Sequence, residues 1–193
     1  SLRAVYTHYM PASGTPEALE AIAAKLRDEN GIACSQEHVS INSGAKMSIN
    51  LALMALLDPG QGQEVIVPTP AWVSYGPMIT LAGATMVEVA TGPESAFKAT
   101  PDELSAAITP ATRAIMLNSP SNPCGTMYDP DETRAIASML EAHPDVAIIS
   151  DEIYDRLVYG DCDHLSFGSI DPIAERVITI NGLSKTFAMT GWR

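Results

Sequence analysis

Six short apolar runs, spaced along 193 residues, constrain the fold of this chain more than any other feature. Val39–Asn42, Glu64–Pro68, Ala84–Thr91, Thr112–Asn118, Asp145–Ser150 and Arg176–Asn181 are bounded by turn residues, and most are continuous rather than alternating. Continuous apolar runs of this length read as strands buried on both faces. Between them lie stretches of helical period. Pro16–Asn30 carries Leu19, Ile22, Ala23 and Leu26 on one stripe and stops at Gly31; Pro101–Ile108 and Asp131–Ala142 follow the same logic. The segment after Ser43 is apolar almost all round (Met47, Ile49, Leu51, Leu53, Met54, Leu56, Leu57), so its helix is expected to be buried. Strand and helix in alternation predict a three-layer α/β/α fold around a mainly parallel sheet with right-handed crossovers.

In such sheets ligands bind beyond the carboxyl ends of the strands, and the chemistry-bearing residues of this sequence gather there. Ser43-Gly44-Ala45-Lys46 is a strand–glycine–helix junction: either a plain turn or an anion site built from backbone N–H groups and the positive helix end. No glycine lies five residues before Gly44, so it is not a Walker A loop, and no G-x-G-x-x-G follows a strand. Asp151 comes directly after a buried run, and Tyr154 three residues later. After the last strand, Gly182 leads to Lys185 on a Ser-flanked loop, and Arg193 stands eight residues on. A lysine at a strand end is a candidate amine nucleophile, since partial desolvation favours its neutral form. An arginine there offers a fixed bidentate cation for phosphate or carboxylate.

Other classes are disfavoured. A net charge of −12 with no basic cluster argues against nucleic acid or an anionic membrane surface as partner. The longest apolar run, Ile49–Leu57, is half the length of a membrane span and contains Asn50. Three scattered cysteines (Cys34, Cys124, Cys162) suit reduced thiols in the cytoplasm, and the four histidines lack metal-ligand spacing. With no initiator Met and a last residue inside a motif, the chain reads as a piece of something longer.

The segment NGLSKTFAMTGWR (Asn181–Arg193) resembles the lysine signature of class I/II, fold-type I aminotransferases, which use pyridoxal 5′-phosphate. Tyr9…Gly14, SGAK, PAWVSY, NSPSNPCG and SDEIY match further motifs of that family in the same order, over essentially the whole chain. The resemblance implies that Lys185 holds the cofactor as an aldimine and that Arg193 binds its phosphate. It gives Asp151 to the ring nitrogen, Tyr154 and Asn122 to the ring O3′, and Trp72 to the ring face. The phosphate is served by backbone N–H groups of the Gly44, Ala45, Lys46 junction and by Ser184, and Tyr9 reaches the phosphate of the neighbouring subunit of a homodimer. Trp72 and Asn122 also line the substrate. Two departures stand out: Gly182 occupies a position where many relatives carry a phosphate-binding serine, and Cys124 replaces the commoner threonine of N-P-T-G.

The wording is most similar to the bacterial-type aspartate aminotransferases with lysine after the Gly-Ala pair. In that subgroup the lysine, here Lys46, is implicated in binding the substrate's side-chain carboxylate; otherwise it only reinforces phosphate potential. The expected reaction exchanges an amino group between an L-amino acid, aspartate first, and a 2-oxo acid such as 2-oxoglutarate. Relatives with this site also act as carbon–sulfur lyases, and a non-catalytic sensing module is the alternative of another class. By the resemblance, residues 1–36 are a lead-in with the first helix. Residues 37–193 are the cofactor-binding large domain, incomplete because its antiparallel seventh strand and the C-terminal small domain lie outside the chain.

Overall fold

A computed structural model describes residues 9–192, and their sheet is parallel throughout. The first helix, α1 (Pro16–Asn30), starts where the Thr15 hydroxyl accepts the Ala18 N–H at 3.3 Å and Pro16 fills the first helical position. It ends at Gly31, whose φ of 68° is the left-handed conformation that glycine adopts at least cost. There follow α2 (Ala45–Leu56), β1 (Glu64–Thr69), α3 (Tyr75–Leu81), β2 (Thr85–Ala90), α4 (Pro101–Ala107), β3 (Thr112–Asn118) and α5 (Pro130–Glu141). The chain continues through β4 (Ala147–Asp151), one-turn α6 (Asp171–Ala174), β5 (Val177–Ile180) and one-turn α7 (Leu183–Thr186).

Strand order is β2-β1-β3-β4-β5. The chain leaves β1 for β2 on one side and later returns to β3 on the other, so a topological switch lies between β1 and β3. Because successive strand residues face opposite ways, Val65 and Val67 of β1 point to one layer and Ile66 to the other. The first layer packs Ile49 and Leu53 of α2 and Tyr75 and Ile79 of α3 on Met116, Ile149 and Ile180. The second packs Leu104 of α4 and Ile136 and Leu140 of α5 on Ile115, Leu117 and Ile148. Burying side chains of this size contributes roughly 1.5–3 kcal/mol each.

Three expectations need correction. Val39–Asn42 belongs to no sheet among the described residues; the Ile41 N–H bonds instead to the Ser13 carbonyl at 2.7 Å. A strand sequence becomes a strand only when a neighbour takes its hydrogen bonds. The helix α2 is buried on one side only: Ile49, Ala52 and Leu53 meet the sheet, while Leu51 and Met54 stay 44% and 60% exposed. A helix lying on one sheet face presents its opposite stripe outward unless a further layer covers it. Finally, Asp151 is the last residue of β4 rather than the residue after it, paired in register with Asn118 of β3 and Ile180 of β5.

Candidate active site

The carboxyl ends of β1, β3, β4 and β5 converge on Asp151. It is 3% exposed, with no cationic side chain paired to it among the described residues. Burial pushes its carboxyl pKa up, while hydrogen bonds from the Tyr75 hydroxyl and the Ile153 N–H pull it down. Those bonds are 2.6 Å to Oδ2 and 3.3 Å to Oδ1. A buried carboxylate with polar support but no counter-charge is costly to keep, and such groups mark functional sites.

Two lines of contact reach Asp151. Along the first, the Lys46 ammonium sits 5.0 Å from the centre of the Trp72 ring, and Trp72 meets Tyr75 edge-on at 5.5 Å. Tyr75 then donates to Asp151. The second line starts at Lys185, whose ammonium lies 5.9 Å from the centre of the Tyr154 ring. Asn122 Nδ2 stands 3.4 Å from the Tyr154 hydroxyl, and its backbone N–H donates to Asn118 Oδ1 at 2.7 Å. Asn118 Nδ2 donates in turn to the Asp151 carbonyl at 2.8 Å, closing the circuit. One floor carboxylate is thus flanked by an aromatic face and by an amine with two hydrogen-bonding groups.

At one border the junction before α2 takes the conformation an anion cradle requires. Gly44 has φ 84° and supplies no side-chain cap, so the first-turn N–H groups of Ala45 and Lys46 have no helical acceptor. At the other, Asn181 Oδ1 accepts the Gly182 N–H at 2.7 Å while Asn181 Nδ2 donates to Asp155 Oδ2 at 2.8 Å. Lys25 and Asn30 of α1 bind the same oxygen at 2.5 and 3.2 Å. Burial would raise the Asp155 carboxyl, but these bonds outweigh it and hold its pKa down. The turn carrying Lys185 is therefore tethered to α1 through Asp155.

Not every expected residue falls into this cluster. Lys185 lies on the single turn α7, not on an irregular loop, and it is exposed, so the described residues do not supply the desolvation expected for it. Ser184 is half-buried on the same turn, and its carbonyl accepts the Thr190 hydroxyl at 3.1 Å. Tyr9 is fully exposed and touches none of the cluster, and Arg193 lies outside the described residues. Tyr75, Asn118, Asp155 and Asn181 escaped the sequence reading. An aromatic three residues past Trp72 and an asparagine four before Asn122 were the available signals, but only the strand register gives them meaning.

The donor set fits pyridoxal phosphate. Asp151 lacks a cation that a protonated ring nitrogen would provide, Asn122 and Tyr154 offer donors for a phenolic oxygen, Trp72 offers a ring face, and Gly44–Lys46 offer anion-binding N–H groups.

A family model described as aminotransferase class I and II matches residues 3–193. An aspartate/prephenate aminotransferase of Cereibacter sphaeroides is 45% identical over 188 residues, covering 97% of this chain and 46% of the relative. An aspartate aminotransferase of Pyrococcus abyssi is likewise 45% identical, over 97% of this chain and 48% of its own length. The crystal structure of the Rhizobium meliloti aspartate aminotransferase superposes on the whole chain with a TM-score of 0.94 at 39% identity, matching 48% of that protein. An aromatic aminotransferase from Pyrococcus horikoshii also gives 0.94, at 44% identity over 51% of its length. This chain spans about half the length of the relatives it matches.

Proposed function

This chain belongs to the class I and II aminotransferases, a family that uses pyridoxal 5′-phosphate, and we propose that it contributes the cofactor-binding half of an aspartate-preferring aminotransferase. The observation that carries this reading is the buried, uncompensated Asp151 carboxylate at the meeting point of the Lys185–Tyr154–Asn122 and Lys46–Trp72–Tyr75 lines. When bound, the cofactor supplies an electron sink for the pair left on the substrate's α-carbon. Asp151 holds a proton on the ring nitrogen, and Tyr154 and Asn122 donate to the ring oxygen. Trp72 covers one ring face. The N–H groups of the Gly44–Lys46 turn take the phosphate, joined by Ser184 and, from outside the described residues, Arg193. Lys185 Nζ would hold the cofactor, and as a free amine it would act as the general base that takes the substrate's α-proton and as the general acid that delivers it to the cofactor's carbon rather than back to Cα.

Substrate choice is assigned to Lys46, whose ammonium over Trp72 offers a positive charge at the mouth of the site to a second carboxylate. The acceptor is a 2-oxo acid. Residues 37–193 form the cofactor domain, with 1–36 as its lead-in. Exposed Met47, Leu51 and Met54 on α2 and exposed Tyr9 support a homodimer in which Tyr9 reaches the neighbouring phosphate. The three free thiols support a cytoplasmic home, and among the described residues no helix is long and apolar enough to cross a membrane. A donor screen of the full-length protein tests the reading. Aspartate is expected to outpace alanine, aromatic amino acids and cystathionine, and Lys46→Met is expected to lower aspartate and glutamate turnover selectively. Equal losses for all donors would remove Lys46 from the substrate role, and pyruvate from cystathionine would turn the assignment to a lyase.

A further inference from the structure

The residue that most affects what Asp151 can do closes the PAWVSY motif, where the resemblance gave a role to Trp72 alone. Tyr75 opens α3, is 1% exposed, and spends its hydroxyl on Asp151 Oδ2 at 2.6 Å, while its ring edge braces Trp72 at 5.5 Å with the planes at 88°. We propose that Tyr75 is a positioning residue that sets the Asp151 carboxylate and the Trp72 ring together, so that one buried hydroxyl governs where the proton lies between Asp151 and the ring nitrogen. This deepens the reading given above and rests on it.

A hydrogen bond donated to one carboxylate oxygen stabilises the ionised form, and in a dry site such a bond is stronger than in water. Burial, and then the Asp151 charge, drive the Tyr75 hydroxyl pKa well above its usual value, so Tyr75 keeps its proton and acts only as donor. Asp151 is then the weaker base of the pair it forms with a pyridine nitrogen, and the shared proton rests on nitrogen, where an electron sink needs it. Without Tyr75, the support left among the described residues is the longer bond from the Ile153 N–H, burial dominates, and the proton moves back toward the carboxyl. A hydrogen bond to a charged group changes such a preference by roughly tenfold or more.

The test is the nitrogen-15 resonance of ring-labelled pyridoxal phosphate bound to the full-length protein and to its Tyr75→Phe variant. The variant keeps the ring volume and its brace on Trp72, and Asp151 can take up a proton rather than remain a bare buried charge; thermal unfolding confirms that it folds. The expected result is a protonated-nitrogen resonance in the unmutated protein that moves toward the unprotonated position in the variant. A protonated nitrogen unmoved by Tyr75→Phe overturns this proposal alone. An unprotonated nitrogen in the unmutated protein overturns the role given to Asp151, and this proposal with it. A second measurement needs no variant: the carbon-13 ζ resonance of Tyr75 should shift when pyridoxal phosphate binds. It should not shift in the same way with the analogue whose ring nitrogen is replaced by C–H. Identical responses to the two cofactors overturn the proposal.

Discussion

The floor of the site and the turn that carries its lysine are built by opposite means. Around Asp151 the side chains are buried and bonded across elements: Tyr75 comes from α3, Asn118 from β3, and the sheet register fixes both. Around Lys185 the bonds are local, Phe187 N–H to Leu183 carbonyl at 3.1 Å and Thr190 hydroxyl to Ser184 carbonyl at the same distance. Phe187 and Trp192 there are 57% and 81% exposed. The floor must hold a charge in one place, which demands preorganised dipoles. In the proposed reaction the amine must leave and return, which a rigidly packed side chain could not do. On the proposed roles, the two regions divide the work between electrostatics that do not move and a nucleophile that does.

Substitution at each place should separate these characters. Lys185→Ala in the full-length protein is expected to lower turnover by about four decades or more, because attachment and proton transfer fail together. In the cofactor-free protein its unfolding midpoint should barely change, since an exposed side chain on a short turn contributes within about 0.5 kcal/mol. A large drop in stability would show that the turn is packed after all. Peptide mapping after borohydride reduction should place the cofactor on Lys185 in the unmutated protein, and label on another lysine would displace the assignment. Asp151→Asn is expected to cost roughly two to four decades of turnover while making the cofactor-free protein more stable, by about 1 kcal/mol, because a buried charge without a counter-ion is removed. Loss of stability in cofactor-free Asp151→Asn would break the comparison at its base.

This division also explains what the sequence could and could not disclose. Thr112–Asn118 and Glu64–Thr69 were legible because buried parallel strands must be apolar on both faces. The cluster of Asp151, Tyr154, Asn122 and Lys185 was legible from motif order. Helix α3 was not anticipated: Gly76 and Pro77 lie in its first turn, where proline forfeits no helical hydrogen bond. Tyr75 was given no role and Asn118 only a place in a strand, because their roles depend on which strand end lies opposite, and register is a three-dimensional fact. The exposed stripe of α2 and Val39–Asn42, which joins no sheet among the described residues, were misread for the same reason, since composition reports burial potential and not the neighbour that realises it.

Beneath the floor lies a second buried carboxyl whose effect should be smaller and confined to stability. Glu152 is 1% exposed, accepts the hydroxyls of Ser150 at 2.7 Å and Ser166 at 2.9 Å, and leaves Oε2 without a hydrogen-bond partner, with His164 3.9 Å away. Burial raises its pKa from 4.5 to about 7, and burial lowers that of His164, so the neutral pair is favoured. Between those two values the folded protein binds more protons at Glu152 than the unfolded chain does, so stability falls as pH rises across that window. The contribution is full below pH 4.5 and gone above about 7, a change of up to roughly 3 kcal/mol. Glu152→Gln keeps a carbonyl for both serines and cannot ionise. Urea unfolding of the cofactor-free protein from pH 5 to 8 should therefore show the variant gaining on the parent as pH rises, with turnover little altered. A difference that stays constant with pH would remove Glu152 as the source.

The smallest effect expected lies where the moving region meets the fixed one. Gly182 has φ 170° and ψ 168°, extended backbone open to any residue, so its lack of a side chain reflects space rather than conformation. A Cβ there would meet Ile153 Cδ1 at 2.9 Å, the free end of a side chain that can rotate away. Forcing that adjustment costs on the order of 0.5–1.5 kcal/mol. Many relatives carry a phosphate-binding serine at this position, and a hydrogen bond to a charged phosphate contributes roughly 1.5–3 kcal/mol. The bond outweighs the adjustment by about 1 kcal/mol, so Gly182→Ser should lower the cofactor's dissociation constant by roughly fivefold. Turnover at saturating cofactor should be unchanged, because neither the Lys185 amine nor the Asp151 floor is altered. Titration of the cofactor-free full-length protein, followed by cofactor absorbance, gives the constant directly. Weaker binding would mean that Ile153 is held firmly by its own neighbours, and that the rigid floor extends further under the lysine turn than the present contrast allows.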